Sequence, residues 1–244
     1  MPDYIFILNG KVGMKKVADH SQVRLMEDNL MHQSDTAFHY QKQQWYDASK
    51  RIMDITGALV GLILLSWLFI MIAILIKKED AKGPVFFKQI RVGKNGKKFY
   101  MYKFRSMVTD AESRLNDLLK HNEISGAMFK MKDDPRITRI GKFIRKTSID
   151  ELPQLINVLK GDMSLVGPRP PLPREVQDYT NHDRLRLLVT PGCTGLWQVS
   201  GRNHVSFHEM VELDLEYISN RSLLFDIKII FKTITVLFGS DNAY

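Results

Sequence analysis

Residues 55–76 read ITGALVGLILLSWLFIMIAILI without a single charge, and no other feature limits so strongly what this chain can fold into. As a helix rising about 1.5 Å per residue, the run is long enough to cover a hydrocarbon core of about 30 Å. A helix apolar on every face is buried in a large core or immersed in lipid. A chain of 244 residues holds one good core, or one core with a membrane segment. Membrane insertion is therefore the leading reading and a soluble central helix the alternative. Lys50 and Arg51 precede the run, and Lys77, Lys78 and Lys82 follow it. Such clusters favour the cytoplasmic side, so a segment that enters, bends and leaves on one side satisfies both ends. A spanning helix violates the rule at one of them. Backbone groups freed at a bend find no partners in lipid, and proline, the usual kink-former, is absent. Gly57, Gly61 and Ser66 are the candidates for the break. Trp45 and Tyr46 stand where aromatic anchors at the headgroups are expected.

The formal charge of +8 suits nucleic acid, phosphorylated ligands or an anionic membrane face. The single cysteine, Cys193, rules out an intrachain disulfide and points to a reducing compartment. Residues 1–44 contain one short apolar run, too brief for a signal core, and read as a loosely ordered extension or a small accessory element. Strand-like runs at residues 85–90 and 98–104 flank Lys94-Asn95-Gly96-Lys97, and Asn-Gly is the favoured pair of a type I′ hairpin. Helical periodicity follows at residues 110–122, with Ala111, Leu115, Leu118 and Leu119 on one face. Further helices are expected at residues 152–159, stopped by Gly161, and at 207–218. Residues 223–238 are apolar but interrupted by Asp226, Lys228 and Lys232, which fits a helix at the membrane surface or one packed on the core. The fold class that results is α+β and α-rich. It combines a re-entrant, monotopic helix, a cytoplasmic catalytic domain with a small β-hairpin, and amphipathic interfacial helices. The division is residues 1–44, 45–82 and 83–244.

Several chemistries lack their motifs: no GxxxxGK[ST] loop, no GxGxxG after a strand, and no HExxH occurs. His204 and His208 are spaced as a metal pair, without an obvious third ligand. The adjacent acids Asp150 and Glu151 remain. Ser148 and Glu151 fit a capping box, with the acids in a first helical turn. Pro153 would then fall inside the helix and remove a backbone bond. A start at Ile149 or Asp150 accommodates it better and leaves both carboxylates at the helix mouth, where an Asp and a Glu can divide nucleophilic attack and Mg²⁺ binding. Arg136, Arg139, Lys142, Arg145 and Lys146 precede the acids, and Arg169 follows within GPRPP. A proline-flanked arginine loses little entropy on gripping phosphate; a solvated basic surface is the plainer account of the other charges.

KRIMD at residues 50–54, GPVFFKQIRVGKNGKKFYMYKFRSM at 83–107, the long stretch DPRITRIGKFIRKTSIDELPQLINVLKGDMSLVGPRP at 134–170 and PGCTGLWQVSGR at 191–202 together resemble the bacterial sugar transferase family. These are monotopic polyprenyl-phosphate sugar-phosphate transferases that prime capsule, exopolysaccharide and O-antigen assembly. The resemblance covers about residues 45–240 and implies a specific chemistry. An aspartate takes up the sugar phosphate of a UDP-sugar and releases UMP, and undecaprenyl phosphate then accepts it. Carried onto this sequence, Asp150 is the nucleophile, and Asp150 and Glu151 are the Mg²⁺ carboxylates. Arg145 and Arg169 match phosphate-handling positions, and Lys88 and Arg105 fall within matching segments. The family breaks its re-entrant helix at Ser-Pro, where this chain has Ser66-Trp67; Ser66 must then sustain a softer bend. Larger members carry an N-terminal multi-helix membrane domain, for which this chain has no room, yet GLWQVSGR looks like theirs.

The resemblance implies a bacterial inner membrane location with the catalytic domain facing the cytoplasm, contact with membrane lipids, and no nucleic acid, for which no reading motif appears. A homo-oligomer is left open. Competing functions are a glycosyltransferase releasing UDP, for which no isolated Asp-x-Asp motif speaks, and a non-catalytic membrane adaptor with a basic face. Residues 194–202 and the Arg184–Arg186 region are candidates for shaping the sugar pocket, and galactose or glucose is the preferred sugar from the C-terminal resemblance alone.

Overall fold

The computed structural model describes residues 6–8, 11–13, 44–111, 113–118, 131, 134–201 and 205–239. The chain divides into two compact units, residues 1–43 and 44–244. The first contains an antiparallel pair, β1 (Phe6–Leu8) with β2 (Lys11–Gly13), within the stretch expected to be loosely ordered.

The second unit opens with the apolar run, which forms two helices, α1 (Gln44–Leu64) and α2 (Ser66–Glu79). Their axes bend by 60°. The break falls at Leu65 (φ −96°, ψ 5°), and the Ser66 hydroxyl donates to the carbonyl of Ile63 at 2.9 Å. A carbonyl loosened by the bend thus finds a side-chain partner, as a proline-free kink requires. Among the described residues no single helix is long and apolar enough to cross a membrane; this bent pair has the length and composition to do so together. Ile63, Leu64, Trp67 and Ile70 near the bend are all more than 60% exposed.

Next comes the expected hairpin, β3 (Phe86–Val92) and β4 (Lys98–Phe104), paired from Phe86–Phe104 to Val92–Lys98. At its tip Asn95 (φ 56°) and Gly96 (φ 79°) take the left-handed conformations of a type I′ turn. Of the helix expected at residues 110–122, α3 (Leu115–Leu118) is seen, and residues 119–122 lie outside the described residues. Then follow α4 (Arg139–Lys146), a 3₁₀ turn (Ile149–Glu151), α5 (Gln154–Lys160) and β5 (Ser164–Val166). The short helices α6 (Pro173–Gln177) and α7 (Asn181–Arg184) lead to β6 (Gly192–Thr194), which pairs in parallel with β5. Last come α8 (Leu196–Ser200), α9 (Phe207–Asn220) and α10 (Leu223–Gly239).

Three apolar clusters hold the unit together. Ala58 of α1 packs with Phe99, Met101, Val158 and Met163. Ile72 and Ile76 of α2 pack with Phe104 and Ile144. Val166, Val199, Tyr217 and Ile229 join β5 to the three C-terminal helices. Gly57 lies so close to Leu165 that an added Cβ would stand 2.7 Å from its Cδ1, so α1 rests directly on β5. Tyr46 differs from the anchor expected of it. It is buried, with its hydroxyl donating to Asp226 of α10 at 2.9 Å, whereas Trp45 is 89% exposed. A buried carboxylate attracts every donor within reach, and that draws Tyr46 inward. Helix α10 packs on the core, with Asp226 and Ile229 buried, while Leu224, Ile227, Phe231 and Ile234 are exposed along the other side.

Candidate active site

The site is built on the hairpin. Strand periodicity places Phe87, Gln89 and Arg91 opposite Lys103, Met101 and Phe99 on one face. Two cations therefore project among apolar neighbours. Arg91 is buried; its guanidinium donates to Gln89 Oε1 at 2.7 Å and to the Pro170 carbonyl at 2.9 Å. Burial pushes its pKa down to about 9, and the Arg169 charge adds to that. Lys103 reaches Glu151, Nζ to Oε1 at 2.6 Å.

The two acids are delivered by α4 and the turn after it. Thr138 caps α4, its hydroxyl accepting from the Gly141 amide at 3.0 Å. Gly141 itself lies against the Ser106 carbonyl, where no Cβ would fit. After Lys146 the chain reverses through Ser148 in the left-handed conformation (φ 55°) and enters the 3₁₀ turn with Asp150 and Glu151. Ser148 makes no side-chain cap bond, so the capping-box account of the acids does not hold: a left-handed residue cannot aim its hydroxyl as an N-cap does. Pro153 stands just before α5, with φ −61°, where its ring removes no helical bond. The far end of α5 is closed by Gly161 (φ 85°) and by Arg51 of α1, which donates to the Val158 and Leu159 carbonyls at 2.6 and 2.8 Å. Asn157 grips β4 from α5, accepting from the Tyr102 amide at 2.9 Å and donating to the Tyr100 carbonyl at 2.7 Å.

Asp150 is 8% exposed. Burial pushes its carboxyl up to about 6; the neighbouring Glu151 charge adds to this, and Lys103 and Arg145 oppose it. For Glu151 burial also works against the charge, but the Lys103 ammonium, with Arg91 and Arg169 behind it, outweighs burial and holds the carboxyl below the usual range. Within the dyad the proton therefore resides on Asp150 at mildly acidic pH, and both acids are ionised above it.

The GPRPP loop is fixed along its backbone. The Gly167 amide donates to Thr194 at 2.9 Å, the Pro170 carbonyl is taken by Arg91, and the Pro171 carbonyl accepts from the Val92 amide at 2.9 Å. The Arg169 side chain is held by Glu175 at 3.0 Å, and Glu175 also accepts from the Leu172 amide at 2.7 Å.

Lys103, Arg145, Asp150, Glu151 and Arg169 line one cleft of about 2550 Å³. Its other residues include Ile52, Met53 and Thr56 of α1 and Ile227, Phe231 and Ile234 of α10, so a charged portion is continuous with an apolar one. Lys88 and Arg105 line the cleft as well, but their charged groups are turned elsewhere. The Lys88 ammonium stands 5.7 Å from the Tyr102 ring on the opposite hairpin face. Arg105 binds Asp80 at 2.6 Å and fills the space left by Gly83. Ser66 and Trp67 lie at the helix break, as expected of them. Arg184 and Arg186 are absent from the cleft lining: Arg186 is buried against Asp214, 2.8 Å away, and against the Tyr179 hydroxyl at 2.9 Å. His204 lies outside the described residues, and among those described no group of three His, Cys, Asp or Glu could hold a metal. Sequence reasoning missed Lys103, Arg91 and Glu175. For the first two a signal existed, since alternation sets both cations on the apolar face of the hairpin. For Glu175 none did.

A family model described as bacterial sugar transferase matches residues 45–240. The galactosyl transferase CpsE of Streptococcus agalactiae serotype III is 55% identical over 196 residues, covering 80% of this chain and 43% of that protein. The undecaprenyl-phosphate galactose phosphotransferase of Salmonella typhimurium is 48% identical over 199 residues, 80% of this chain and 41% of that protein. The exopolysaccharide production protein ExoY of Rhizobium meliloti is 42% identical over 200 residues, 80% of this chain and 88% of that protein. The chain thus spans less than half the length of the first two relatives and most of the third. With a family match over residues 45–240 and a relative 42% identical that the chain covers to 88% of its length, this chain belongs to the bacterial sugar transferase family.

Proposed function

We propose that this chain transfers a sugar phosphate from a UDP-sugar to undecaprenyl phosphate, releasing UMP, in the assembly of an exopolysaccharide or capsule. One observation carries the reading: adjacent carboxylates, one buried and one held by a lysine, lie in a cleft that is arginine-rich at one part and apolar at another. A nucleotide sugar and a lipid phosphate together need both parts. Asp150 attacks the phosphorus attached to the sugar; the bond from that phosphorus to the bridging oxygen breaks, and UMP leaves with the electron pair. An oxygen of undecaprenyl phosphate then attacks the same phosphorus and frees the Asp150 carboxylate. Splitting the transfer in this way gives ping-pong kinetics. Arg145 and Arg169 steady the phosphates, with Lys88 and Arg105 at the cleft margin.

Asp150 and Glu151 would hold Mg²⁺. Two neighbouring carboxylates suit an ion that takes one or two protein ligands and fills its sphere with water and substrate phosphates, and Glu151 already binds a cation at 2.6 Å. Bound there, the ion would neutralise charge on the diphosphate. The bent pair α1–α2 enters the inner membrane and returns to the cytoplasmic side. Basic residues at both ends and the exposed apolar bend support this. Relatives named for galactose make it the first sugar to try.

The test is UMP release by purified protein from a panel of UDP-sugars, with Mg²⁺ and undecaprenyl phosphate, beside Asp150→Asn. The expected result is UMP from one or few donors, abolished in the variant while membrane association persists. Release of UDP would make the chain a conventional glycosyltransferase. Silence across the panel, or full activity of a folded Asp150→Asn protein, would overturn the reading.

A further inference from the structure

We propose that Trp197 and Gln198 of α8 form the subsite for the donor's sugar, the indole N–H donating to its hydroxyls and the carboxamide oxygen accepting from them. This rests on the donor reading given above. Among the described residues three buried side-chain polar atoms lack a hydrogen-bond partner: Trp197 Nε1, Gln198 Oε1 and Asp214 Oδ1. Two of the three belong to consecutive residues that line the cleft. Folds keep few such atoms, because each gives up its bonds to water and gains none in return. Gln198 is already oriented: its Nε2 donates to the Cys193 carbonyl at 3.3 Å, which assigns the unpartnered atom as an acceptor.

The pairing of one donor with one acceptor narrows the ligand. A phosphate offers only acceptors and cannot satisfy Gln198 Oε1. A prenyl chain offers neither. Sugar hydroxyls both donate and accept. Position then separates the sugar from the base. Gly195, the N-cap of α8, is packed so tightly that an added Cβ would stand 2.4 Å from the carbonyl oxygen of Gly167, two residues before Arg169. Helix α8 therefore adjoins the arginine loop, and its two polar residues line the same cleft as the dyad. The sugar is bonded to the phosphorus under attack, while the uracil lies beyond a second phosphate and a ribose. Neither atom is open to solvent here, so engaging the sugar requires both side chains to rotate their polar edges into the cleft that they line.

The experiment compares wild type with Trp197→Phe and Gln198→Met, each keeping the bulk of the side chain. It reads kcat/KM by UMP release, inhibition by UMP, and thermal unfolding. Each variant is expected to lose about tenfold to a hundredfold in kcat/KM for the accepted donor, with inhibition by UMP unchanged because UMP has no sugar. Among deoxy-sugar donors, one that wild type rejects should be rejected less by a variant. Unchanged kcat/KM with lowered thermal stability would make the atoms the ends of a structural water bridge and overturn the subsite. An equal loss of UMP binding would overturn it in favour of the base. Absence of turnover by wild type with every donor would remove the donor reading itself, a result distinct from either.

Discussion

Lys103 does more at Glu151 than neutralise a charge, because its ammonium also opposes the rise in the Asp150 pKa. Burial pushes that carboxyl up to about 6 in the chain alone, and Mg²⁺ bound at the dyad would draw it lower. The rate should therefore climb with pH as Asp150 ionises and level off once it has. In Lys103→Gln the opposing charge is gone, so the acid limb of the pH–rate profile should move upward; a limb that stays in place would separate Lys103 from the dyad. Stability carries the opposite sign. Unfolded, Asp150 titrates near 3.8, so between there and about 6 the folded chain holds more protons, and stability falls as pH rises. Asp150→Asn should accordingly raise the unfolding temperature above pH 6 and leave it little changed below pH 4. Equal effects at both pH values would mean that burial does not strain this carboxyl. The sequence announced the acids by their adjacency and Arg169 by its prolines. It announced Lys103 only through strand alternation. Glu175 had no such mark, because its partner is set by how the GPRPP loop folds back onto α6.

The bent pair α1–α2 shows what one hydroxyl can do within an element. Ser66 serves the Ile63 carbonyl at 2.9 Å, and the axes turn by 60° without proline. Helix existence here was legible from hydropathy. The residues left the break among Gly57, Gly61 and Ser66, and only the family resemblance set it at Ser66-Trp67. The angle was not legible, since it depends on Gly57 resting against Leu165 and on Ile72 and Ile76 packing at Phe104 and Ile144. The same limit appears in α10, whose apolar run carries the sequence of an interfacial helix and also a buried Asp226. Re-entry makes a direct prediction. With Cys193 replaced by Ala, cysteines introduced as Ala48→Cys in the first turns of α1, ahead of its apolar run, and Lys82→Cys after α2 should both react with an impermeant thiol reagent in inside-out vesicles. Both should be protected in right-side-out vesicles. Opposite sidedness of the two positions would establish a full crossing.

Across the whole second unit, the first helix and the last are joined by a buried polar cluster that no local pattern reveals, because its members stand up to 180 residues apart. Asp226 accepts from Tyr46 at 2.9 Å, from Lys50 at 3.0 Å and from Tyr217 at 2.7 Å. Lys50 also lies 4.0 Å from Asp54, and Asp54 takes the Ser164 hydroxyl and the Leu165 amide at 3.0 and 2.9 Å. This cluster fixes α1 and α10, whose apolar residues line the cleft, to the parallel pair β5–β6 and so to the loop that carries Arg169. Removing one charge of a buried pair strands the other, at a cost of about 3–5 kcal/mol, whereas replacing both by apolar groups is often neutral. Asp226→Leu should therefore lower the unfolding temperature sharply and weaken turnover, since α1 and α10 lose their common attachment. The double variant Lys50→Met, Asp226→Leu should recover part of both, short of wild type because Asp54 loses the Lys50 charge while keeping its bonds from Ser164 and Leu165. The tyrosines do not defeat the rescue: Tyr217 still donates to the Val166 carbonyl at 3.2 Å, and the two hydroxyls stand 3.4 Å apart. Thermal unfolding of the two variants beside wild type decides the matter, and a double variant no more stable than Asp226→Leu alone would mean that the carboxylate acts through the hydroxyls rather than through Lys50.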